Sequence, residues 1–159
     1  MELKIAVIGC GMIGREHIER IQNRIRGAKV VAVCDVFEEG AKKGAEIAGG
    51  DVKVYTDFHD AINDPDVTAV VVTTPGPFHK DPVIAAIEAG KPVFSEKPLA
   101  NTAADCKAVV DAEMASGKHL VQVGFMRRYD RGYKQVKELI DSGKFGAPMV
   151  LKCTHRADG

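Results

Sequence analysis

An apolar strand that runs directly into three spaced glycines leaves a chain few ways to fold. Residues 4–8, Lys-Ile-Ala-Val-Ile, are followed by Gly9-Cys10-Gly11-Met12-Ile13-Gly14. Gly9 permits a tight strand-to-helix turn, Gly11 lets backbone amides approach a pyrophosphate, and Gly14 lets the next helix lie close to the sheet. The N-terminus of that helix points unpaired N–H groups at the anion. Residues 29–35, Lys-Val-Val-Ala-Val-Cys-Asp, form a second strand ending in Asp35. That acid falls about 20 residues beyond the loop, where a ribose-binding carboxylate belongs. The pattern predicts a dinucleotide-binding unit, with Met12 and Ile13 in its loop beside the cofactor.

Apolar, β-branched runs recur at 4–8, 29–34, 68–72, 92–94 and 120–123, with a shorter piece near 53–55. Helical patterns lie between them. In the first, Gly14, Ile18, Ile21 and Ile25 share one face. Residues 37–48, 80–89, 102–116 and 129–141 read as further helices, with Gly90 and Gly117 as stops and Asn101 or Thr102 as a cap. Continuous apolar strands alternating with helices predict an α/β fold, a doubly wound parallel sheet covered on both faces. The dinucleotide-binding domain is expected over 1–124. A connecting helix and the first strand of an incomplete second domain are expected over 125–159, with the strand at 149–155. Pairing of that strand at the sheet edge is the alternative.

Lys plus Arg and Asp plus Glu each total 22, a balance that argues against a nucleic-acid or anionic-membrane partner. No apolar run reaches membrane-spanning length, and strand one begins at once, so a cytoplasmic protein without a signal peptide is expected. Cys10, Cys34, Cys106 and Cys153 lack paired spacing and read as reduced, structural thiols. The five histidines show no metal spacing, and no metal site is expected.

In such a sheet, ligands bind beyond the carboxyl ends of the strands, where strand order reverses. The fourth strand delivers Thr73-Thr74-Pro75-Gly76-Pro77-Phe78-His79, the fifth Ser95-Glu96-Lys97-Pro98, and the sixth Gly124-Phe125-Met126-Arg127-Arg128. Topology therefore assigns Lys97 and Arg127 to the edge where the nicotinamide end of a dinucleotide would lie. His79 either serves the cofactor site or caps the helix after it. His17, inside the first helix, reads as structural.

Gly9-x-Gly11-x-x-Gly14, Asp35, the loop at 74–79 and Glu96-Lys97-Pro98 together resemble the Gfo/Idh/MocA family of sugar and polyol oxidoreductases, over the whole chain. The run from Val123 to Asp130, with Cys153-x-His155-Arg156 downstream, resembles the inositol 2-dehydrogenases of that family, which oxidise myo-inositol to the 2-ketone with NAD. The resemblance implies that Gly9 to Gly14 cradle the pyrophosphate and Asp35 holds the adenosine ribose. Thr73, Thr74, Pro75 and His79 would serve the cofactor, and Glu96 its nicotinamide side. Lys97 would hydrogen-bond the reacting hydroxyl as the catalytic residue, and Arg127 and His155 would contact other hydroxyls. A cis peptide at Lys97–Pro98 and a homo-oligomeric full-length parent are also implied. Many family members carry Asn where this chain has Gly76, and inositol dehydrogenases can carry Gly there.

On this reading a His base removes the hydroxyl proton, and a Lys ammonium stabilises the developing alkoxide. The expected base lies beyond residue 159, so the 159-residue chain should bind NAD without catalysing. The alternatives are another polyol or sugar dehydrogenase of the family, or a non-catalytic dinucleotide-binding module. A methyltransferase is weaker still, because nothing in it calls for Lys97.

Overall fold

Six short parallel strands form one sheet, and three of its inner strands carry the apolar runs that a sheet covered on both faces requires. The computed structural model describes residues 2–152 and 154. The strands are β1 (Leu3–Ile8), β2 (Ala28–Cys34), β3 (Lys53–Tyr55), β4 (Ala69–Val72), β5 (Val93–Glu96) and β6 (Val121–Gly124). The helices are α1 (Met12–Arg24), α2 (Glu38–Ala48), α3 (Phe58–Asn63), α4 (Lys80–Glu88), α5 (Ala103–Ser116) and α6 (Arg131–Asp141). Strand order is β3-β2-β1-β4-β5-β6, so the chain reverses direction across the sheet between β1 and β4.

Alternation along β1 divides the core into two layers. Ile5 and Val7 pack with Ile18 and Ile21 of α1 and Ala41 and Ala48 of α2. Ala6 and Ile8 face the opposite side with Ala61, Ile62, Val83, Ala86, Ile87 and Val109, from α3, α4 and α5. The inner strands β1 and β4 are thus buried on both faces, the condition under which all-parallel sheets occur, whereas the edge strands β3 and β6 contain no fully buried residue. Thr102 caps α5 by accepting the Asp105 N–H at 3.1 Å, and Gly117 closes that helix at φ +67°, which L side chains rarely adopt.

Three expectations are corrected. Ile25 is 52% exposed because α1 has already ended, and its backbone is extended. The short helix α3 has no counterpart in the sequence reading. Asp57 starts it by accepting the His59 N–H at 2.7 Å, and Ala61 and Ile62 bury its inner face. The strand expected at 149–155 is absent among the described residues: Met149, Val150, Leu151, Lys152 and Thr154 form no ladder, and Met149 is 94% exposed. A strand is stabilised by its neighbour, and β-branched composition alone does not supply one. Cys153 and His155 lie outside the described residues.

The chain divides into two compact units, Met1–Gly124 and Phe125–Gly159. In the second, α6 begins at Asp130, which accepts the Tyr133 N–H at 3.2 Å. No helix among the described residues is long and apolar enough to cross a membrane.

A buried acid braces the amino end of the sheet. Asp64, 5% exposed, accepts hydrogen bonds from Lys53 Nζ at 2.8 Å, the Tyr55 hydroxyl and the Asp66 N–H. Burial alone would raise its pKa, but the bonds from Lys53, Tyr55 and Asp66 outweigh it and hold the carboxyl at about 2. A depressed carboxylate stabilises the fold fully above its unfolded pKa of about 3.9, and the contribution fades as pH falls toward the folded value. Its size is about 2 kcal/mol. Urea unfolding between pH 5 and about 2 should show this loss, and D64N should flatten it. An unchanged slope in D64N would assign acid sensitivity to other groups.

Candidate cofactor site

The carboxyl ends of the central strands are level. Ile8 is in register with Cys34 on one side and Val72 on the other, and Val72 with Ser95. The loops that leave these ends enclose a cavity of about 620 Å³, within the range of ligand pockets. Its wall includes Gly9, Gly11, Met12, Ile13, Asp35, Thr73, Thr74 and Pro75, all singled out from the sequence. Val36, Phe37, Phe58, Phe78 and Pro82 add an apolar surface that sequence reasoning did not assemble. These residues come from the segments that follow β2, β3 and β4, with Phe58 in α3 and Pro82 in α4, and no local spacing connects them.

Each glycine of the loop has a distinct surrounding. A Cβ on Gly9, at φ +95°, would lie 2.6 Å from the Thr74 nitrogen, so β1 and β4 meet there backbone to backbone. A Cβ on Gly14 would lie 2.0 Å from the Gly9 carbonyl oxygen, so α1 can sit this close only without a side chain. Around Gly11 there is open space. Thr73 secures the turn by donating its hydroxyl to Gly9 O at 2.6 Å. Helix α1 starts with no side-chain cap and no acid in its first turn, leaving its N–H groups available to an anion.

Asp35 is held by two backbone donors. Its Oδ2 accepts the Cys10 N–H at 2.8 Å and its Oδ1 the Phe37 N–H at 3.0 Å. Gly40 keeps the space beside it clear, since a Cβ there would come within 3.1 Å of the Asp35 carboxyl carbon. Among the described residues, the charged groups on the cavity wall are Asp35 and Asp81, both acidic, with no Lys or Arg in the lining. An uncapped helix N-terminus, an open glycine and an ordered acid fit a dinucleotide carrying an unmodified ribose diol.

Cys34 is part of this wall and Cys10 is not, and both are buried. Burial, followed by the Asp35 carboxylate, pushes the Cys10 thiol up to about 12. Burial, with the neighbouring Cys10, does the same to Cys34. Neither thiol is a nucleophile at neutral pH.

Lys97 follows β5 at the same carboxyl edge, joined to Pro98 by a cis peptide bond as the resemblance implied. Its side chain is exposed, and among the described residues its ε-amine has no hydrogen-bond or ion-pair partner. Glu96 and His79 each have nonlocal partners. Glu96 lies off the cavity wall, with Oε1 3.0 Å from His17 Nε2 and Oε2 accepting the Lys97 N–H at 3.1 Å. His17, which also meets the Phe94 ring edge-on, thereby links α1 to the end of β5. His79 is 1% exposed, is not on the wall, and makes no side-chain cap to α4. Nonlocal partners take up both side chains, and neither Glu96 nor His79 carries a local signal for that. Arg127 belongs to the second unit, where it pairs with Asp130 at 3.0 Å and lies 5.3 Å from the centre of the Tyr133 ring.

Residues 3–125 match the oxidoreductase family with an NAD-binding Rossmann fold. An inositol 2-dehydrogenase from Azotobacter vinelandii is 56% identical over 156 residues, covering 98% of this chain and 46% of that protein. One from Klebsiella pneumoniae is 53% identical over the same length and coverage. The myo-inositol dehydrogenase of Lactobacillus casei, solved with NAD(H) and myo-inositol, superposes with a TM-score of 0.89 at 44% identity. That match covers 93% of this chain and 44% of that one. The scyllo-inositol dehydrogenase of Lactobacillus casei follows with a TM-score of 0.83 at 32% identity, covering 92% of this chain and 43% of that one. The chain thus spans about half the length of the curated relatives it matches. With the cradle in place and the family match running through the whole sheet, the chain belongs to the Gfo/Idh/MocA oxidoreductase family and carries its NAD-binding Rossmann fold.

Proposed function

We propose that this chain is the NAD-binding part of an inositol 2-dehydrogenase. In the full-length enzyme, a secondary hydroxyl of myo-inositol would be oxidised to the ketone. The observation that carries this reading is identity above one half, over nearly the whole chain, to enzymes of that name. Gly9, Gly11 and Gly14 with the start of α1 would hold the pyrophosphate, Asp35 the adenosine ribose, and Thr73, Thr74 and Pro75 the cofactor beyond it. When bound, NAD supplies the hydride acceptor. Lys97, its ammonium free among the described residues, would donate to the reacting hydroxyl and stabilise negative charge on that oxygen. Arg127 and His155 would bind hydroxyls that do not react. The general base and the rest of the polyol cover would come from the part of the relatives' length that this chain does not span.

NAD should bind in preference to NADP by at least about tenfold. Asp35 would accept hydrogen bonds from a ribose diol but repel a 2′-phosphate, and among the described residues the acidic wall has no cation to offset that repulsion. Titration of the chain with each cofactor reads this directly, and tighter NADP binding would overturn the assignment.

Assay of the 159-residue chain and of the full-length enzyme with NAD and myo-inositol, scyllo-inositol or glucose tests the function. Turnover of myo-inositol is expected in the full-length enzyme alone. Preference for glucose or scyllo-inositol would move the reading to another member of the family. Comparable turnover by the 159-residue chain would show that the site needs nothing further.

A further inference from the structure

Two segments of separate origin meet beside the cavity: the loop after β4, which supplies Thr74 and Pro75 to its wall, and the turn at Lys97–Pro98. Between them lies His79, a buried residue that the function described above does not use. Its Nε2 is 2.6 Å from Thr74 O and its Nδ1 is 2.5 Å from Pro98 O. One rigid ring therefore spans the cofactor loop and the residue that follows Lys97. The two segments also touch at Gly76, where a Cβ would lie 3.2 Å from the Pro98 ring and 2.9 Å from Asn101 Oδ1. From the opposite side, Glu96 holds the Lys97 N–H and reaches back to His17.

We infer that His79 is a positioning residue for Lys97, its ring fixing the Lys97–Pro98 turn to the loop that lines the cofactor cavity. The inference rests on the reading of Lys97 as the group that stabilises the reacting oxygen. The ε-amine is at the end of a long, exposed side chain without a partner of its own among the described residues. Its reach therefore depends on where the backbone at Lys97 and Pro98 is anchored. Small displacements of a catalytic group cost up to about 100-fold in rate. The anchor need not touch cofactor or substrate, which agrees with the complete burial of the His79 ring.

The test is a double-mutant cycle in the full-length enzyme with K97M, H79A and the pair. H79A should lower kcat for myo-inositol by about tenfold or more while changing the Kd for NAD less than about threefold. In the K97M background, H79A should add little further loss. H79Q, which can keep one carbonyl contact, should recover part of the rate, and it replaces H79A in the cycle if H79A does not fold. Amide hydrogen exchange in the cofactor-free protein should quicken at residues 97–101 and 74–79 together. Normal kcat in the His79 variant, or a loss of equal size with and without Lys97, would overturn the inference. Near-normal turnover of K97M alone would instead sink the catalytic reading of Lys97, and the positioning role with it.

Discussion

K97M in the full-length enzyme is expected to lose about 100-fold or more in turnover while keeping its affinity for NAD. Methionine has a similar length and apolar stem, so packing of the turn should survive and only the ammonium is lost. Removing one preorganised donor from a developing oxyanion costs about 100- to 1,000-fold, or about 2.7–4 kcal/mol of barrier. The cofactor cavity should not register the change, because Lys97 is not part of its wall. Steady-state kinetics with saturating NAD, together with fluorescence titration of the cofactor, separates the two effects. A fall in NAD affinity equal to the fall in turnover would make Lys97 a cofactor ligand.

Within the glycine loop, the two substitutions G14A and G11A should fail in opposite ways. A methyl at Gly14 would overlap the Gly9 carbonyl oxygen at 2.0 Å, the oxygen that accepts the Thr73 hydroxyl. Either α1 moves away from the sheet or the turn between β1 and α1 is rebuilt. The expected cost is about 3 kcal/mol or more, at the severe end for overpacking. A drop of roughly 10 °C in Tm follows for a domain of this size. At Gly11 nothing lies within 4 Å, so G11A should fold with a loss of about 1 kcal/mol at most, the preference for Gly over Ala at an N-cap. Its methyl would enter the space a pyrophosphate approaches, and NAD binding should weaken by at least about tenfold. Calorimetry and NAD titration on the 159-residue chain read both. A G14A chain as stable as the parent would mean that the close helix approach contributes nothing, and a G11A chain with normal affinity would move the phosphate elsewhere.

These contrasts show which parts of the site local sequence could reveal. Gly9, Gly14, Asp35 and the strand ends were legible because their constraints act over a few residues. A tight turn needs glycine, and a fully buried parallel strand must be apolar on both faces. The terminal run at Met149–Leu151 has the same strand-like composition, yet it has no ladder among the described residues. A strand needs a partner that composition cannot name.

What the sequence by itself determined was the alternation of strands and helices, the dinucleotide cradle and the acid that closes it. Each rests on periodicity or on the geometry of a single turn. Only the tertiary structure decided that Phe58 and Phe78 share a wall with Asp35, that Glu96 holds His17 and the Lys97 amide, and that His79 lies under the loop. A buried polar side chain must find partners, and those partners are brought within reach by strand order. For His79 one of them, Pro98, is 19 residues away along the chain, and for His17 the partner Glu96 is 79 residues away. No local pattern encodes contacts at such separations, because they exist only once β1, β4 and β5 are side by side.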